Sequence, residues 1–401
     1  DATVTVPPPP AHIPLYFAWV SCSLSLMVLI VPGGIVAIHY VRWLRLRGPP
    51  EPQRFVDDYD LPVSAPFFPP QSCIHQAKTA TNLTHHLSNE YKVPDGTFNK
   101  SSRLAVFCYY NRSRVINMNK TQWYGIGSLP SGVCSHIIYG PLVVDVVDAD
   151  IMMTPRDIIL TTELASRRAA MNASLLVSIS GHGEFAMMAG LVGRMARLAG
   201  NIVVWVLENG FQGVDIDWKD VGEQPCGRPG DGAGLDKLVE ELRRVSKLND
   251  FQLLLTTWRH QVPVLPGIDF YFHTDSSCRG TSPLNVTRAL EETTRWHNGT
   301  AKLCATVSAT LQASENTTGI LVYRDRKPYD TDCVVSGNHS CDDVCCTIER
   351  KAVMYHYDKP NNLRRKLGVH SCVLYLDGDM DNFSGACNMA MYPILRAIAA
   401  A

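Results

Sequence analysis

The stretch Gly210-Phe-Gln-Gly-Val-Asp-Ile-Asp-Trp-Lys219 constrains the fold of this chain more than any other. It reads as a short, very apolar strand ending in an alternating acidic tip, with a helical pattern before it and a Gly/Pro-rich loop after it. Successive side chains of a strand face opposite ways. Asp215, Asp217 and Lys219 therefore share one face, and Val214, Ile216 and Trp218 share the other. Two carboxylates in line at a strand end are costly unless something uses or pairs them.

The rest of the chain supplies a scaffold for such a strand. From Arg103 onward short apolar runs alternate with helical stretches, the pattern of a parallel α/β architecture. Eight runs are predicted as strands: Leu104 to Tyr110, Cys134 to Tyr139, Ser174 to Ser180, Gly213 to Trp218, Phe251 to Thr257, Ile268 to Phe272, Leu303 to Val307 and Cys372 to Leu376. Eight runs over residues 103–401 fit a closed (β/α)8 TIM barrel. An open doubly wound sheet is the alternative, but no glycine-rich phosphate loop follows the first run. A Cys-rich insertion of about residues 313–350, carrying Cys333, Cys341, Cys345 and Cys346, separates the seventh and eighth strands.

Composition narrows the setting. With 46% apolar and 19% charged residues, the 401-residue chain has material for a large core, and a net charge of -1 gives no field that would draw nucleic acid. Twelve of the thirteen cysteines follow Cys22, an even number that suits disulfides in an oxidising compartment. A zinc site at Cys341, Cys345 and Cys346 is the competing reading, but no second Cys-x-x-Cys pair completes it, so no metal and no cofactor are expected. Ten Asn-x-Ser/Thr sequons, at Asn82, Asn99, Asn111, Asn119, Asn172, Asn285, Asn298, Asn316, Asn338 and Asn382, exceed the roughly two or three that chance would give. They point to the secretory pathway, with Asn111 and Asn382 less accessible because they flank strands.

The N-terminal part divides into three. Residues 1–12 are polar and Pro-rich. Residues 13–41 hold no Asp, Glu, Lys or Arg, long enough to span a bilayer as a signal anchor, with aromatic residues at both ends. A cleaved signal peptide, and hence a secreted protein, is the alternative. Residues 42–102 form a Pro-rich stem. Arg42, Arg45 and Arg47 after the span favour a cytosolic barrel by the positive-inside tendency, whereas the sequons and cysteines favour an extracellular or lumenal one. The latter weigh more, because large domains can translocate regardless of local charge.

The acidic strand resembles the signature strand of the family 18 glycoside hydrolases, the chitinases and chitinase-like lectins, whose pattern is Asp-Gly-x-Asp-x-Asp-Trp-Glu. This chain keeps Gly213, Asp215, Asp217 and Trp218, with Gln212 for the first Asp and Lys219 for the terminal acid/base Glu. The resemblance extends over residues 103–401. Cys108-Tyr109-Tyr110 and Cys134-Ser135-His136 resemble the opening strands and imply a Cys108–Cys134 disulfide. Ser178-Ile179-Ser180-Gly181 resembles the third-strand Ser-x-Gly-Gly segment, and Tyr357-Asp358-Lys359-Pro360 and Asp379 to Cys387 resemble segments bracketing the last strand.

In that family the Glu protonates the glycosidic oxygen while the sugar's own acetamido group attacks, which requires an acid able to give and retake a proton. A lysine, with an ordinary pKa of about 10.4, stays charged beside carboxylates. Lys219 is thus expected to be a charge partner of Asp215 and Asp217, leaving no intact catalytic residue. The resemblance also implies sugar-contacting positions at Trp218, Tyr109, Thr274 (for a family Tyr), Asp275 and Leu376 (for a floor Trp). His182 and His273 read as structural, and Arg243-Arg244 as the solvated face of a helix. The expectation is a catalytically inactive, membrane-anchored, glycosylated chitinase-like protein that binds a chitin-type oligosaccharide or a cell-surface protein. The alternative is a residual glycosidase using Asp217 or Asp275.

Overall fold

Eight parallel strands close on themselves, and each arises where an apolar run permits strict alternation. The computed structural model describes residues 104–112, 124–181, 183–219, 221–222, 226–247, 250–257, 265–273, 302–317, 320–328, 339–341, 346–350, 353–357, 370–378 and 392–401, together with 72, 367 and 381. The barrel strands are β1 (Ala105–Asn111), β2 (His136–Asp145), β4 (Ser174–Gly181), β5 (Gly213–Trp218), β6 (Gln252–Thr257), β7 (Phe270–His273), β8 (Lys302–Ser308) and β14 (Cys372–Leu376). Each pairs in parallel with the next, and β1 pairs with both β14 and β2, so the sheet has no gap. This is a TIM barrel. A short strand β3 (Asp150–Met152) hairpins antiparallel onto the end of β2.

Between β8 and β14 the chain forms a separate five-stranded antiparallel sheet. Its members are β9 (Thr310–Thr317), β10 (Ile320–Pro328), β11 (His339–Cys341), β12 (Cys346–Arg350) and β13 (Val353–Tyr357). The insertion thus runs beyond the expected 313–350 at both ends. Cys341 and Cys346 are register partners across β11 and β12, and Cys333 and Cys345 lie outside the described residues. Among the described residues no helix is long and apolar enough to cross a membrane, and residues 13–41 and the stem lie outside them.

Helices cover the barrel where the sequence supplies starts and stops. In α1 (Pro155–Met171) the Thr154 hydroxyl accepts from the Asp157 amide while Asp157 accepts from the Thr154 amide, and Pro155 occupies the first turn. Asn172 ends it in the left-handed conformation. After β4 come α2 (Gly183–Ala189) and α3 (Arg194–Glu208), after β5 comes α4 (Asp231–Ser246), and α5 (Pro393–Ala400) closes the chain. The buried Asp381 carboxylate accepts from the Ile394 and Leu395 amides and from the Tyr375 hydroxyl, capping α5 and pinning it to β14. The Arg243 guanidinium is not solvated as expected. It donates to the Gly267 and Phe251 carbonyls and to Asp269, tying the end of α4 to β6 and β7, while Arg244 is exposed.

Alternation splits the apolar residues into two cores. Val106, Ile137, Val177, Val214, Leu255 and their equivalents face outward against the helices. Phe107, Ile138, Leu176, Leu254, Phe272 and Leu374 fill the interior, with Phe107 at the centre stacked on His136 at 4.1 Å and meeting Phe270 and Phe272 edge-on. Two disulfides reinforce these strands. Cys108–Cys134, implied by the family resemblance, is present, and Cys304–Cys372 joins β8 to β14 within the interior core. The second closes the two strands that flank the insertion, a pairing the sequence alone does not give.

β5 is the exception, contributing no side chain to the interior core. Its inward positions are Gly213, Asp215 and Asp217. A Cβ on Gly213 would lie 2.1 Å from the Gln252 carbonyl oxygen of β6, so only glycine lets the two backbones pair. Gly213→Ala is expected to lower the unfolding free energy by about 3 kcal/mol or to prevent folding, since the obstruction is backbone and cannot rotate away. Urea unfolding of the variant beside the parent chain measures it.

Candidate active site at the carboxyl ends of the barrel strands

Above the interior core the inward side chains turn polar. Ser178 and Ser180 of β4, Asp215 and Asp217 of β5, Thr256 of β6, and Thr306 and Ser308 of β8 are all buried there. This layer lies at the C-terminal ends of the strands, where (β/α)8 enzymes carry their chemistry.

Asp215 lies deepest, at 1% exposure. Its two oxygens accept from the Ser178 hydroxyl and the Thr256 hydroxyl, each at 2.8 Å, one from each neighbouring strand. Burial first, and then the charge of Asp217, push its pKa up to about 7, with the two hydroxyls working against the rise. The value suits an acid, but the carboxyl is sealed from solvent and both oxygens are occupied. Tyr109, inward on β1, is half-buried as a residue with its phenol enclosed. Burial and the charge of Asp217 raise that phenol well above its ordinary range, and a hydrogen bond with Ser178 opposes the rise.

Lys219 follows the last residue of β5, its amide donating to the Gly181 carbonyl at 3.0 Å. Its ammonium lies 3.7 Å from Asp217 Oδ2 and its side chain is about one quarter exposed. This is an ion pair at the rim rather than a hydrogen bond. Where the family resemblance puts a transferable proton, the barrel therefore presents an ammonium leaning on the neighbouring carboxylate.

Leu376, at the end of β14, is half-buried against the interior core on the inward face. Asp377 follows with φ +61°, and that turn lets its carboxylate accept from Ser308 Oγ at 2.6 Å. Trp218 requires a correction. Its indole does not face the mouth but is buried on the outer side of β5, 5.2 Å from the Phe185 ring and facing Gly234 on α4, where an added Cβ would lie 3.5 Å from the ring. Strand alternation forces this once Asp217 points inward. Thr274, Asp275 and His182 lie outside the described residues.

Sequence reasoning missed the hydroxyls that hold Asp215, and it missed Asp377. It also missed a buried cluster in which the Asp157 carboxylate accepts from Tyr139, Thr154 and Arg112. Burial acts to raise the Asp157 pKa, but these hydrogen bonds outweigh it and hold the group below the usual carboxylate range. Among the described residues no cluster of His, Cys, Asp or Glu is placed to hold a metal ion.

Residues 105–263 match the model of the glycosyl hydrolases family 18. Over those residues the barrel resembles glycosyl hydrolase family 18. Among solved structures, the barrel is similar to catalytic domain 2 of a group II chitinase from Ostrinia furnacalis, at 18% identity and a TM-score of 0.63 over 74% of this chain and 96% of that one. Human YKL-39, described as a pseudo-chitinase with retained chitooligosaccharide binding properties, aligns at 16% identity and a TM-score of 0.60 over 74% and 98%. A class V chitinase from Nicotiana tobaccum aligns at 12% identity and a TM-score of 0.53 over 73% and 97%. No curated protein matches the chain.

The Asp215 environment sets a pH dependence. A carboxyl whose folded pKa lies above its unfolded value holds its proton more tightly in the fold, so its contribution to stability is full below the unfolded value and is lost as pH rises to the folded one. The barrel is expected to lose up to about 4 kcal/mol of unfolding free energy through Asp215 between pH of about 4 and about 7. Asp215→Asn removes that part of the slope. Urea unfolding of both proteins across the window reads it as the difference between the two curves.

Proposed function

We propose that this family 18 barrel is a non-hydrolytic, chitinase-like binding protein whose ligand is a chitin-type oligosaccharide. The observation that carries the reading is the ammonium of Lys219 beside Asp217. Family 18 hydrolysis needs an acid that gives its proton to the leaving oxygen and then takes one from water. An ammonium balanced by a carboxylate is a poor donor, and Asp215, whose pKa would suit the task, is sealed beneath two hydroxyls. The likeness to YKL-39 supports binding without turnover as a workable use of this fold. Leu376 at the inward end of β14 offers a smaller apolar floor than the tryptophan the family resemblance implies.

We further propose that the barrel works at the outer or lumenal side of a membrane, anchored through residues 13–41, with secretion as the alternative. The sequons and the two disulfides support an oxidising compartment. Asn172 stands exposed just after α1, open to an oligosaccharyl transferase product. It is expected to carry a glycan, seen as a mass shift on enzymatic deglycosylation that is absent from Asn172→Gln.

Titration calorimetry of the full chain against a chitin hexamer, run beside a hydrolysis assay on a chito-oligosaccharide reporter, tests the main reading. The expected outcome is heat of binding with product formation at background. Turnover that disappears in Asp217→Ala would instead support a residual glycosidase, and silence in both assays would favour a protein partner. Lys219→Glu alone is expected to leave hydrolysis undetectable, because the floor at Leu376 stays unchanged.

A further inference from the structure

Two serines of β4 stand beside two aspartates of β5, and only the lower pair is joined. The strands run in parallel register with Ser178 opposite Asp215 and Ser180 opposite Asp217, all four on the inward face. Ser178 Oγ donates to Asp215 Oδ2 at 2.8 Å. One step higher the same pair of residue types recurs, but Ser180 Oγ is shut off from solvent and makes no hydrogen bond. The Asp217 carboxylate leans the other way, with Oδ2 3.7 Å from the Lys219 ammonium. The strands do not part at this height, because the Lys219 amide still donates to the Gly181 carbonyl at 3.0 Å. Ser180 and Asp217 are therefore separated by an ordinary strand spacing, the one across which Ser178 reaches Asp215.

A buried hydroxyl without a partner is costly and calls for an explanation. Filling space is not one, since alanine occupies nearly the same volume without the polar atom. The segment that resembles Ser-x-Gly-Gly carries Ser180 where that pattern has its first glycine, so the hydroxyl stands where bare backbone would serve. Being enclosed, it cannot reach a ligand in the mouth, and its acceptor has to come from the chain itself. Asp217 is the side chain beside it in register, and its link to Lys219 is too long for a hydrogen bond. Strand side chains have two common settings of χ1, so one rotation turns the carboxylate from the rim toward β4. The Lys219 side chain is about one quarter exposed, within reach of a sugar oxygen that enters the mouth.

We infer that Ser180 is a positioning residue of the mouth, its hydroxyl the second donor to Asp217, engaged when a sugar oxygen draws the Lys219 ammonium away. The part played by the sugar rests on the proposed chitin-type ligand, whereas the contact between Ser180 and Asp217 belongs to the chain alone.

Urea unfolding of the full chain in a double-mutant cycle tests the contact without a ligand. In the parent, Ser180→Ala removes a hydroxyl that bonds nothing, and the variant is expected to be at least as stable. Lys219→Met takes the ammonium away and leaves Asp217 to turn to Ser180. In that background Ser180→Ala is expected to lower the folding equilibrium constant by at least about fivefold. Adding Asp217→Ala should abolish the difference. A hydroxyl that only fills space has the same effect in all three backgrounds, and that result overturns the inference. Titration calorimetry against a chitin hexamer reads the ligand step. Ser180→Ala should bind about threefold to tenfold more weakly than the parent, although the free variant is no less stable. Equal affinity of the two overturns the ligand step. A parent chain that gives no heat overturns the chitin-type ligand and the ligand step with it, while the unfolding cycle decides the contact between Ser180 and Asp217 on its own.

Discussion

The hold of Ser178 and Thr256 on Asp215 is the interaction on which the barrel's mouth depends. A carboxylate cannot lie unpaired inside a barrel, where the loss of hydration outweighs anything a distant charge returns. Two hydroxyls from flanking strands satisfy both oxygens, and the upward shift of the pKa lets the group shed its charge near neutral pH. Because the donors come from β4 and β6, the arrangement also fixes the height of β5 between its neighbours. Gly213 below it makes the close approach to β6 possible, so the polar site and the strand register rest on the same few residues.

Rigidity elsewhere is built by the same means, with buried carboxylates as fasteners. Asp157 gathers Tyr139, Thr154 and Arg112, linking the end of β1, the middle of β2 and the start of α1. Asp381 gathers β14 and α5. Asp231 accepts from the Arg228 amide and guanidinium, closing the loop that leads from β5 into α4. None of these three reaches the mouth. They hold the elements from which the mouth residues project, and the Cys304–Cys372 bridge does the same for the seam between β8 and β14.

The strands were legible in the sequence because each is a short, nearly continuous apolar run, buried on both faces, in contrast with the helical patterns on either side of it. That contrast survives without any knowledge of partners. It identified all eight barrel strands, seven of them to within about two residues, a margin that end fraying sets anyway, while β2 runs on to Asp145, six residues past its expected end at Tyr139. What depends on register was not legible. Ser178 and Thr256 lie 37 and 41 residues from Asp215, and only the parallel pairing brings them to it. Cys304 and Cys372 meet because both face inward on adjacent strands, a fact hidden while thirteen cysteines could pair in many ways. Trp218 shows the opposite case. Alternation already placed it on the far face from Asp217, and grouping it with the sugar-contacting positions let the family pattern override a physical rule that was right.

Whether a sugar can occupy this mouth turns on two contacts of unequal size. A ligand that takes a hydrogen bond at Asp217 competes with Lys219, but at 3.7 Å and partly open to water that pair is worth on the order of 1 kcal/mol. The ligand's own hydrogen bond can offset such a loss. An aromatic floor under a pyranose ring is larger, a few kcal/mol when well buried. Leu376, already packed down on the interior core, supplies only part of that area. On the proposed reading, the substitution that would silence the chemistry and the one that would govern affinity are thus different residues on opposite sides of the barrel, one following β5 and the other ending β14. Restoring the acid leaves the floor as it is, and widening the floor leaves the ammonium in place, so on that reading turnover requires both changes whereas the strength of binding follows the floor alone.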